Sequence, residues 1–343
     1  MRSACEKYFL LLLASGLAFS GVRAEVPESG RHNKQSGEAP RHADTSAFEI
    51  SLGRFWMPQD TLVNRVFRTN GLLETQPETY LLGLRGESIV SYRSRMNGGE
   101  ISLGIKTAGK TWIRLHHKTG LSEGTWQDQD RHDPGLTRDG KDYSLPGTLK
   151  EWANYYAQLN GSYNRSALSF SRTLLETDSL ALDVSLGYSR AKYRYTIQAP
   201  LYSFVEFSEL KNEPVYSLSL KTSIQTDALD LEFRLRWKVF RYLNLFGGVS
   251  GSYGQRVLKR EWKNRGIVSN ATLMGGGGSV HYGATLILFS PAHRLEVGRR
   301  LENSRSLTKK PDHVLGIPYG SKGETLKIQR REIYMKYVYR LGE

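Results

Sequence analysis

Strict alternation of apolar and polar residues constrains this chain more than any other feature of its sequence. Between positions 229 and 239 every odd position is apolar, and every even position, from Asp230 to Lys238, is charged. Successive side chains of a β-strand point to opposite sides, so this spacing puts the two sets on opposite faces of one strand. Similar alternation recurs in segments 180–188, 243–253, 280–288 and 333–341. The pattern predicts an all-β protein.

The connections between these segments favour one all-β architecture. Long strands joined alternately by short turns and long polar loops are typical of an outer-membrane barrel, whereas a sandwich uses shorter strands. Short turns are predicted at 97–99, 177–179, 240–242 and 290–292, and long loops at about 57–79, 120–149, 197–213, 257–276 and 306–325. Residues 47–343 are therefore predicted to form a ten-stranded antiparallel transmembrane β-barrel with long extracellular loops.

The apolar parity changes once within a single segment. Leu220 and Ile224 occupy even positions, whereas the apolar series that starts at Leu229 is odd. A β-bulge near Thr226-Asp227 would restore a single apolar face by inserting one extra residue. A hairpin at the same place would change the number of strands, and the sequence leaves both alternatives open.

The N-terminus has the features of a secretory signal peptide. Arg2 and Lys7 flank the start of an apolar stretch over 8–22, and Val22 and Ala24 are the small residues of a cleavage site. We predict a signal peptide at 1–24, a flexible leader at 25–46, and a location in the outer membrane of a Gram-negative (diderm) bacterium. The only cysteine, Cys5, lies in the predicted signal, so the mature chain is expected to have no disulfide.

The chain is strongly basic, with 48 Lys+Arg against 34 Asp+Glu and a formal charge of +14. Export, and the distribution of this charge along strands, argue against nucleic acid as a partner. We expect contact with outer-membrane lipid and lipopolysaccharide instead, because their phosphates are anionic. No apolar run approaches the roughly 18 residues that a membrane-spanning helix requires.

Acidic residues cluster in segment 124–135, inside the second predicted loop. Asp128 and Asp130 lie two residues apart, so both carboxylates point to one side of an extended segment and can hold a water between them. His132 follows on the same side. A solvated loop of turn-forming residues explains the segment equally well without any catalysis.

Four ordered segments make the chain similar to the omptins, the ten-stranded outer-membrane aspartyl-type proteases of Gram-negative bacteria. They are Ile50-Ser51-Leu52-Gly53, Asp128-Gln129-Asp130, Trp152-Ala153-Asn154 and Gly187-Tyr188-Ser189-Arg190-Ala191-Lys192-Tyr193. The resemblance extends from about residue 48 to the C-terminus. It implies a cell-surface endopeptidase in which a water, held between an Asp pair and an Asp-His pair on facing loops, attacks a peptide or protein substrate directly.

The resemblance assigns the first pair to Asp128 and Asp130, and it requires Asp-x-His on the fourth outer loop. Segment 255–266 contains no histidine and only one carboxylate, Glu261. The general base that the resemblance implies is therefore missing from its expected place.

Three explanations remain open for the missing base. His132 could act from the same loop as the Asp pair. A histidine could come from elsewhere, from Asp312-His313 or from His281, although the alternation predicts that His281 faces the lumen. Proteolysis could also have been lost or altered, which would leave an adhesin, a receptor or a narrow pore.

Tyr188, Arg190 and Lys192 share the parity of the apolar residues in 182–186, so all three are predicted to lie on the outer wall. Cations and a tyrosine at the membrane boundary can bind lipopolysaccharide phosphates. The resemblance implies such a site, with a Tyr-x-Glu-x-Arg pattern, and implies that lipopolysaccharide is required for activity. Here the middle position is Arg190 and the last is Lys192. Ordinary snorkelling of cations towards water is the alternative.

The predicted fourth loop carries five basic residues, which favours anionic ligands. These are Arg256, Lys259, Arg260, Lys263 and Arg265. The following Gly275 to Gly278 are interpreted as the flexible end of that loop. No Cys/His spacing indicates a metal site, so no metal or other cofactor is expected beyond lipopolysaccharide.

Overall fold

The computed structural model describes residues 47–69, 73–75, 78–82, 85–107, 110–132, 135–138, 141–144, 150–199, 218–263, 267–308 and 321–342. The predicted signal peptide and leader lie outside these residues. The strands are β1 (Phe48–Thr69), β2 (Leu73–Thr75), β3 (Glu78–Leu82), β4 (Arg85–Lys106), β5 (Thr111–His132), β6 (Gly135–Arg138), β7 (Lys141–Ser144), β8 (Lys150–Glu176), β9 (Leu180–Ala199), β10 (Leu218–Phe240), β11 (Leu243–Trp262), β12 (Ile267–Ile287), β13 (His293–Thr308) and β14 (Ser321–Leu341). None of the described segments is a helix long and apolar enough to cross a bilayer.

Ten long strands close into one antiparallel barrel, as the sequence predicts. Their order is β1-β14-β13-β12-β11-β10-β9-β8-β5-β4, and β1 completes the ring by pairing with both β14 and β4. Closure removes the exposed strand edges of an open sheet. The short strands form a separate four-stranded sheet in the order β2-β3-β6-β7.

The two ends of the barrel differ in their connections. We call the turn end the one where β4–β5, β8–β9, β10–β11 and β12–β13 are joined, at 107–110, 177–179, 241–242 and 288–292. The opposite end is the loop end. Three of the four predicted turns are thereby confirmed.

The fourth predicted turn, at 97–99, is wrong because Asn97, Gly98 and Gly99 lie inside β4. Glycine serves close packing here and not a turn, since a Cβ on Gly98 would lie 2.0 Å from the Thr119 carbonyl oxygen. The true first turn follows Lys106. Turn-forming residues alone therefore misplaced this connection.

Several predicted loops are also shorter than expected. β1 continues to Thr69 and β5 to His132, while β11 ends at Trp262 and β12 begins at Ile267. Most of the predicted fourth loop is therefore strand, and Gly275 to Gly278 lie within β12 and not at a loop end. The strands extend well beyond the length that their apolar outer faces indicate.

The strands are longer than predicted because side-chain polarity inverts along each of them. Towards the turn end, apolar side chains face outward and form an apolar belt around the barrel. One member from each strand is Leu52, Leu103, Leu115, Phe170, Leu186, Phe233, Val249, Val280, Val297 and Met335. Towards the loop end, apolar side chains face inward, and polar side chains such as Arg93, Lys221 and Lys259 face outward.

The change in apolar parity within β10 is explained by this inversion, and the β-bulge predicted near Thr226-Asp227 is absent. β10 pairs with β9 and β11 without a register shift through this region, and even residues face inward on both sides of it. Ile224 is buried in the interior, whereas Leu231 is exposed on the outside. Register shifts occur elsewhere, for example in β1 between Trp56 and Gln59. The shift in β1 contains Pro58, which has no N–H to donate to a ladder.

Inside the belt, the lumen is lined by ion pairs. Two cations bind Glu49, with the Arg114 and Arg340 Nε atoms 2.9 and 2.8 Å from its carboxylate oxygens. Lys118 Nζ lies 2.9 Å from Glu100 and 2.5 Å from Glu332. The charged face of β10 points inward from Asp230 to Arg236, and its members bind carboxylates or cations of other strands. A polar cavity of about 680 Å³ remains among these groups.

Between this lumen and the loop end, the interior is filled by a buried apolar core that includes several aromatic rings. Its members include Leu62, Tyr92, Trp126, Leu159, Tyr163, Tyr193, Tyr195, Ile197, Leu220, Ile224, Leu258, Leu273, Leu326 and Ile328. The rings of Tyr92 and Tyr195 stack with centroids 5.4 Å apart, and those of Tyr163 and Tyr193 are 4.8 Å apart. This core forms a floor beneath the loop end.

The inversion predicts opposite outcomes for two adjacent substitutions. Ile224→Asp places a charge without a partner in the apolar core, so it should cost roughly 3–5 kcal/mol or prevent folding. Ser223→Asp, on the outward face, should leave stability nearly unchanged. Urea unfolding and heat-dependent electrophoretic mobility measure both effects. A greater loss of stability from Ser223→Asp than from Ile224→Asp would contradict the observed inward position of the even residues and would support the predicted β-bulge.

Candidate functional site

Asp128 lies on a strand near the loop end, not in a loop as the sequence predicted. Its backbone pairs with Val90 of β4 and with Tyr155 of β8. Trp126, two residues earlier on the same face, is buried in the apolar core. Alternation along β5 therefore places Asp128 just above this floor.

The other two predicted catalytic residues continue the same strand. Asp130 pairs with Ser88, and His132 pairs with Gly86 through an unshifted register with β4. On the β8 side, a register shift follows Asp130. The side chains of Asp130 and His132 lie outside the described residues, so their part in the site stays a prediction.

The described surroundings of Asp128 are cationic and aromatic. The negative charge of Asp128 acts on two inward-facing groups, the Arg260 guanidinium of β11 and the Tyr92 phenol of β4. Burial raises the pKa of Tyr92 above its ordinary value, so this phenol stays protonated. Its oxygen lies 3.2 Å from the Thr222 hydroxyl.

Arg260 belongs to a buried network with β14 and β1. Its Nη2 atom donates to the Glu324 carboxylate, and the Asn64 amide donates to the same carboxylate oxygen. Burial disfavours the charge on Arg260, but Glu324 outweighs this, with smaller contributions from Tyr92 and Asp128, so the pKa of Arg260 is raised. An ion pair therefore stands across the mouth from Asp128.

No described histidine side chain joins this group. The histidines whose side chains are described are His116, His117, His281 and His293. His281 faces the lumen as predicted, with its Nε2 atom 3.5 Å from Glu232, and its strand neighbours Gly248 and Arg300 place it well below Asp128. The alternative base at Asp312-His313 lies outside the described residues.

The predicted basic rim of the fourth loop is wrong, because its residues point in different directions. Arg256 and Arg260 face inward on β11, whereas Lys259 faces outward. The buried Arg256 donates to Ser304 and Ser306 at 2.8 and 2.6 Å. Arg256 and Arg260 therefore form interior contacts and do not share an external anionic-ligand surface with Lys259.

Tyr188, Arg190 and Lys192 lie on the outer face of β9, as the parity predicts. Arg190 is directly opposite Asp227 of β10, and its Nε atom donates to Asp227 Oδ1 at 2.6 Å. The Tyr188 hydroxyl donates to the same oxygen at 2.7 Å. Burial raises the pKa of Asp227, but hydrogen bonds from Arg190, Gln225 and Tyr188 outweigh it and lower the pKa below its ordinary value.

Sequence reasoning missed Arg260, Glu324, Asn64 and Asp227 as parts of these two sites. Their parity assigns each to a face, but their partners lie on other strands, up to 260 residues away in the chain for Asn64 and Glu324. Among the residues with described positions, no group of three or more His, Cys, Asp or Glu could hold a metal ion.

Comparison with solved structures identifies a similar barrel. The crystal structure of the outer membrane protease OmpT from Escherichia coli matches with a TM-score of 0.56 and 15% identity, covering 86% of this chain and 97% of that one. The fold is therefore that of a closed ten-stranded barrel similar to OmpT. No protein-family model and no curated protein sequence matches the chain.

Matches with lower structural similarity include two other barrel proteins. OprG from Pseudomonas aeruginosa matches with a TM-score of 0.29 and 9% identity, covering 87% of this chain and 96% of that one. The Pseudomonas putida toluene transporter TodX matches with a TM-score of 0.27 and 11% identity, covering 87% and 89%.

The Arg260–Glu324 pair should be energetically coupled. Because both side chains are mostly buried, Glu324→Gln and Arg260→Met should each destabilise the barrel by about 3–5 kcal/mol, and the double variant by less than their sum. Urea unfolding of all four proteins measures the coupling. The exposed pair Lys110–Glu176, whose nitrogen and oxygen lie 2.6 Å apart, is the control, and its loss should cost about 0–1 kcal/mol. Additive effects at Arg260 and Glu324 would contradict the buried network.

Proposed function

We propose that this protein is an outer-membrane barrel with the loop end at the cell surface. The support is the apolar belt. On β10 the outward apolar series runs from Leu229 to Val239, which rises roughly 25 Å for a strand tilted by about 40°, close to the height of a bilayer's apolar core. Each of the ten long strands pairs with a neighbour on both sides, so the belt has no open sheet edge, as a lipid environment requires.

We further propose that the loop end is an endopeptidase site. The observation that carries this proposal is the position of Asp128, on the inward face of β5 above the aromatic floor and facing Arg260. The OmpT-like fold supports a surface site at this end, and the resemblance of Asp128-Gln129-Asp130 to the omptin pair adds the chemistry. The substrate is a peptide or protein segment lying across the barrel mouth.

In this mechanism the carboxylates of Asp128 and Asp130 hold the attacking water. As the water oxygen forms a bond to the peptide carbonyl carbon, its proton passes to one carboxylate, which later delivers it to the leaving nitrogen. The Arg260 guanidinium supplies positive charge near the oxyanion that develops on the carbonyl oxygen. No covalent enzyme intermediate forms.

The second candidate is a barrel of the same architecture that binds a surface ligand without cleaving it. The observation that favours it is the Arg260–Glu324 pair. Arg260 of this pair lies near the end of β11, in the segment where the omptin resemblance implies Asp-x-His. A pore is the weakest alternative, because the apolar core fills the interior between the lumen cavity and the loop end.

We also propose that lipopolysaccharide binds at Tyr188, Arg190 and Lys192. The acidic position that the resemblance implies between the tyrosine and the last cation is occupied here by Arg190. The Asp227 carboxylate lies directly opposite on β10 and binds both Tyr188 and Arg190, which fixes their orientation on the wall. In this proposal the barrel needs lipopolysaccharide bound at these residues in order to cleave peptides.

Cleavage of a peptide library by the barrel folded with lipopolysaccharide tests the protease proposal. Asp128→Asn keeps the size of the side chain but cannot take the water's proton, so kcat should fall by roughly 10²–10⁴. Glu123→Gln, on the outward face of the same strand, is the matched control and should cleave like the wild type.

Two outcomes decide between the candidates. Cleavage that is equal in wild type and Asp128→Asn would remove Asp128 from the mechanism. Saturable peptide binding by a wild type that produces no cleavage, weakened by Arg260→Met, would establish the non-proteolytic candidate instead.

Lipopolysaccharide dependence gives an independent prediction. Arg190→Gln with Lys192→Gln should weaken lipopolysaccharide binding by roughly 30-fold, since each basic residue near an anionic lipid surface contributes about 1 kcal/mol. Lys259→Gln, an outward cation on β11, should change binding much less. Titration of the folded barrel with lipopolysaccharide measures this, and an equal loss in the Lys259→Gln variant would argue for diffuse attraction in place of a site.

A further inference from the structure

Three arginines interrupt the apolar belt on one side of the barrel. Arg54 of β1 and Arg331 of β14 face outward with exposed side chains, and so does Arg299 of β13. The outward neighbours of Arg54 and Arg299 along the same strands are apolar, for example Leu52 and Trp56 around Arg54, whereas Arg331 lies at the loop-side edge of the belt, between Ile333 and Gln329. These three residues, which we call the arginine triangle, occupy three adjacent strands.

The strand register fixes their arrangement. Arg54 pairs with Met335 of β14, and Arg299 pairs with Ile333, two residues along the same strand. Arg54 and Arg299 are thus two strand spacings apart, roughly 10 Å, with β14 between them. Arg331 follows Ile333 by two residues towards the loop end and completes the triangle. Its centre is the exposed apolar residue Ile333.

Nothing described in the chain neutralises these charges. None of the three guanidiniums has a hydrogen bond or ion pair with any described residue, in contrast to the paired Arg190 on β9. No described Asp or Glu faces outward within the belt itself. Asp227, at the loop-side edge of the belt, is bound to Arg190. A second copy of the belt therefore offers no carboxylate to this triangle.

Unpaired guanidinium groups on a lipid-facing wall are costly unless they reach water or bind an anion. Their long side chains can extend towards the loop end, where lipid headgroups lie. Arginine binds phosphate through two parallel N–H···O bonds, so three arginines on adjacent strands match a phosphorylated headgroup. Below the triangle, Met335, Tyr337 and Val297 form an exposed apolar surface for acyl chains.

We propose that the arginine triangle is a binding site for a phosphorylated lipid, with the phosphate held by Arg54, Arg299 and Arg331 and the acyl chains against the β13–β14 wall. It uses different strands from the Tyr188–Lys192 site on β9 and contains no carboxylate. The inference rests on the proposed membrane location of the belt. It does not depend on whether the barrel cleaves peptides.

Titration of the folded, detergent-solubilised barrel with lipid A, followed by native mass spectrometry, tests this site. In a background that carries Arg190→Gln and Lys192→Gln, so that the β9 site is already weakened, replacing all three arginines by glutamine should weaken lipid A binding by roughly 100-fold. The control variant carries glutamine at Arg93, Arg95 and Arg194, which are exposed and outward-facing but lie beyond the belt towards the loop end, and it should lose less than about fivefold. Heat-dependent mobility checks that both variants close into barrels.

Further ligands separate the alternatives. Dephosphorylated lipid A should bind the wild type weakly and equally to the triple variant, and inorganic phosphate alone should not compete with lipid A. Equal losses in the two arginine variants, equal binding of the dephosphorylated lipid, or full competition by phosphate would each overturn the proposal. So would a wild-type dimer that the triple variant abolishes without any change in lipid binding.

Membrane insertion is measured separately. A wild type that fails to insert into phosphatidylcholine vesicles would overturn the membrane location and the site together. A wild type that inserts normally, and whose lipid A affinity survives loss of the triangle, would overturn the site alone.

Discussion

Closure of one hydrogen-bonded sheet is the constraint on which the rest of this structure depends. Because β1 pairs with both β4 and β14, every long strand has two neighbours and contributes one face to a narrow interior. That interior must be filled or solvated along its whole length, and the outer face must match its surroundings at each height. The chain meets both requirements by inverting side-chain polarity along unbroken strands, as between Ile224 and Leu231 on β10.

The inversion also creates the candidate site. The apolar core formed by Tyr92, Trp126, Tyr195 and their neighbours supports the strands where they extend beyond the belt. Asp128 therefore stands on a paired strand, where its backbone position is set by β4 and β8. A carboxylate that is positioned by two neighbouring strands is better suited to orient a water than one on a loop. The same extension brings Arg260 and Glu324 to the mouth.

Much of the fold was predictable from local pattern. Alternation identified strands in β9, β10, β11, β12 and β14, three turns were located correctly, and the count of ten followed from the connections. The errors have a common cause. Beyond the belt, polar residues face outward and apolar residues inward, so segments such as 57–69 and 257–262 lose the outward apolar signal of a barrel strand and resemble loops. In β4, glycines needed for close strand contact resemble a turn.

The candidate site was predictable only in part. The Asp128–Asp130 spacing stood out because it lies within one short segment, and the outward parity of Tyr188, Arg190 and Lys192 follows from β9 alone. The partners of these residues did not stand out. Asn64, Arg260 and Glu324 come from β1, β11 and β14, and nothing in the local sequence around any of them indicates the other two.

The sequence by itself determined which residues are extended and which faces they share, because a period of two is a local property of the strand backbone. Only the tertiary structure decided which charges meet. It pairs Asp227 with Arg190 and Glu324 with Arg260, and it places Arg54 and Arg299 on either side of β14. Those pairings depend on strand order and register around a closed ring, and one residue of slip in any strand would exchange its inward and outward faces.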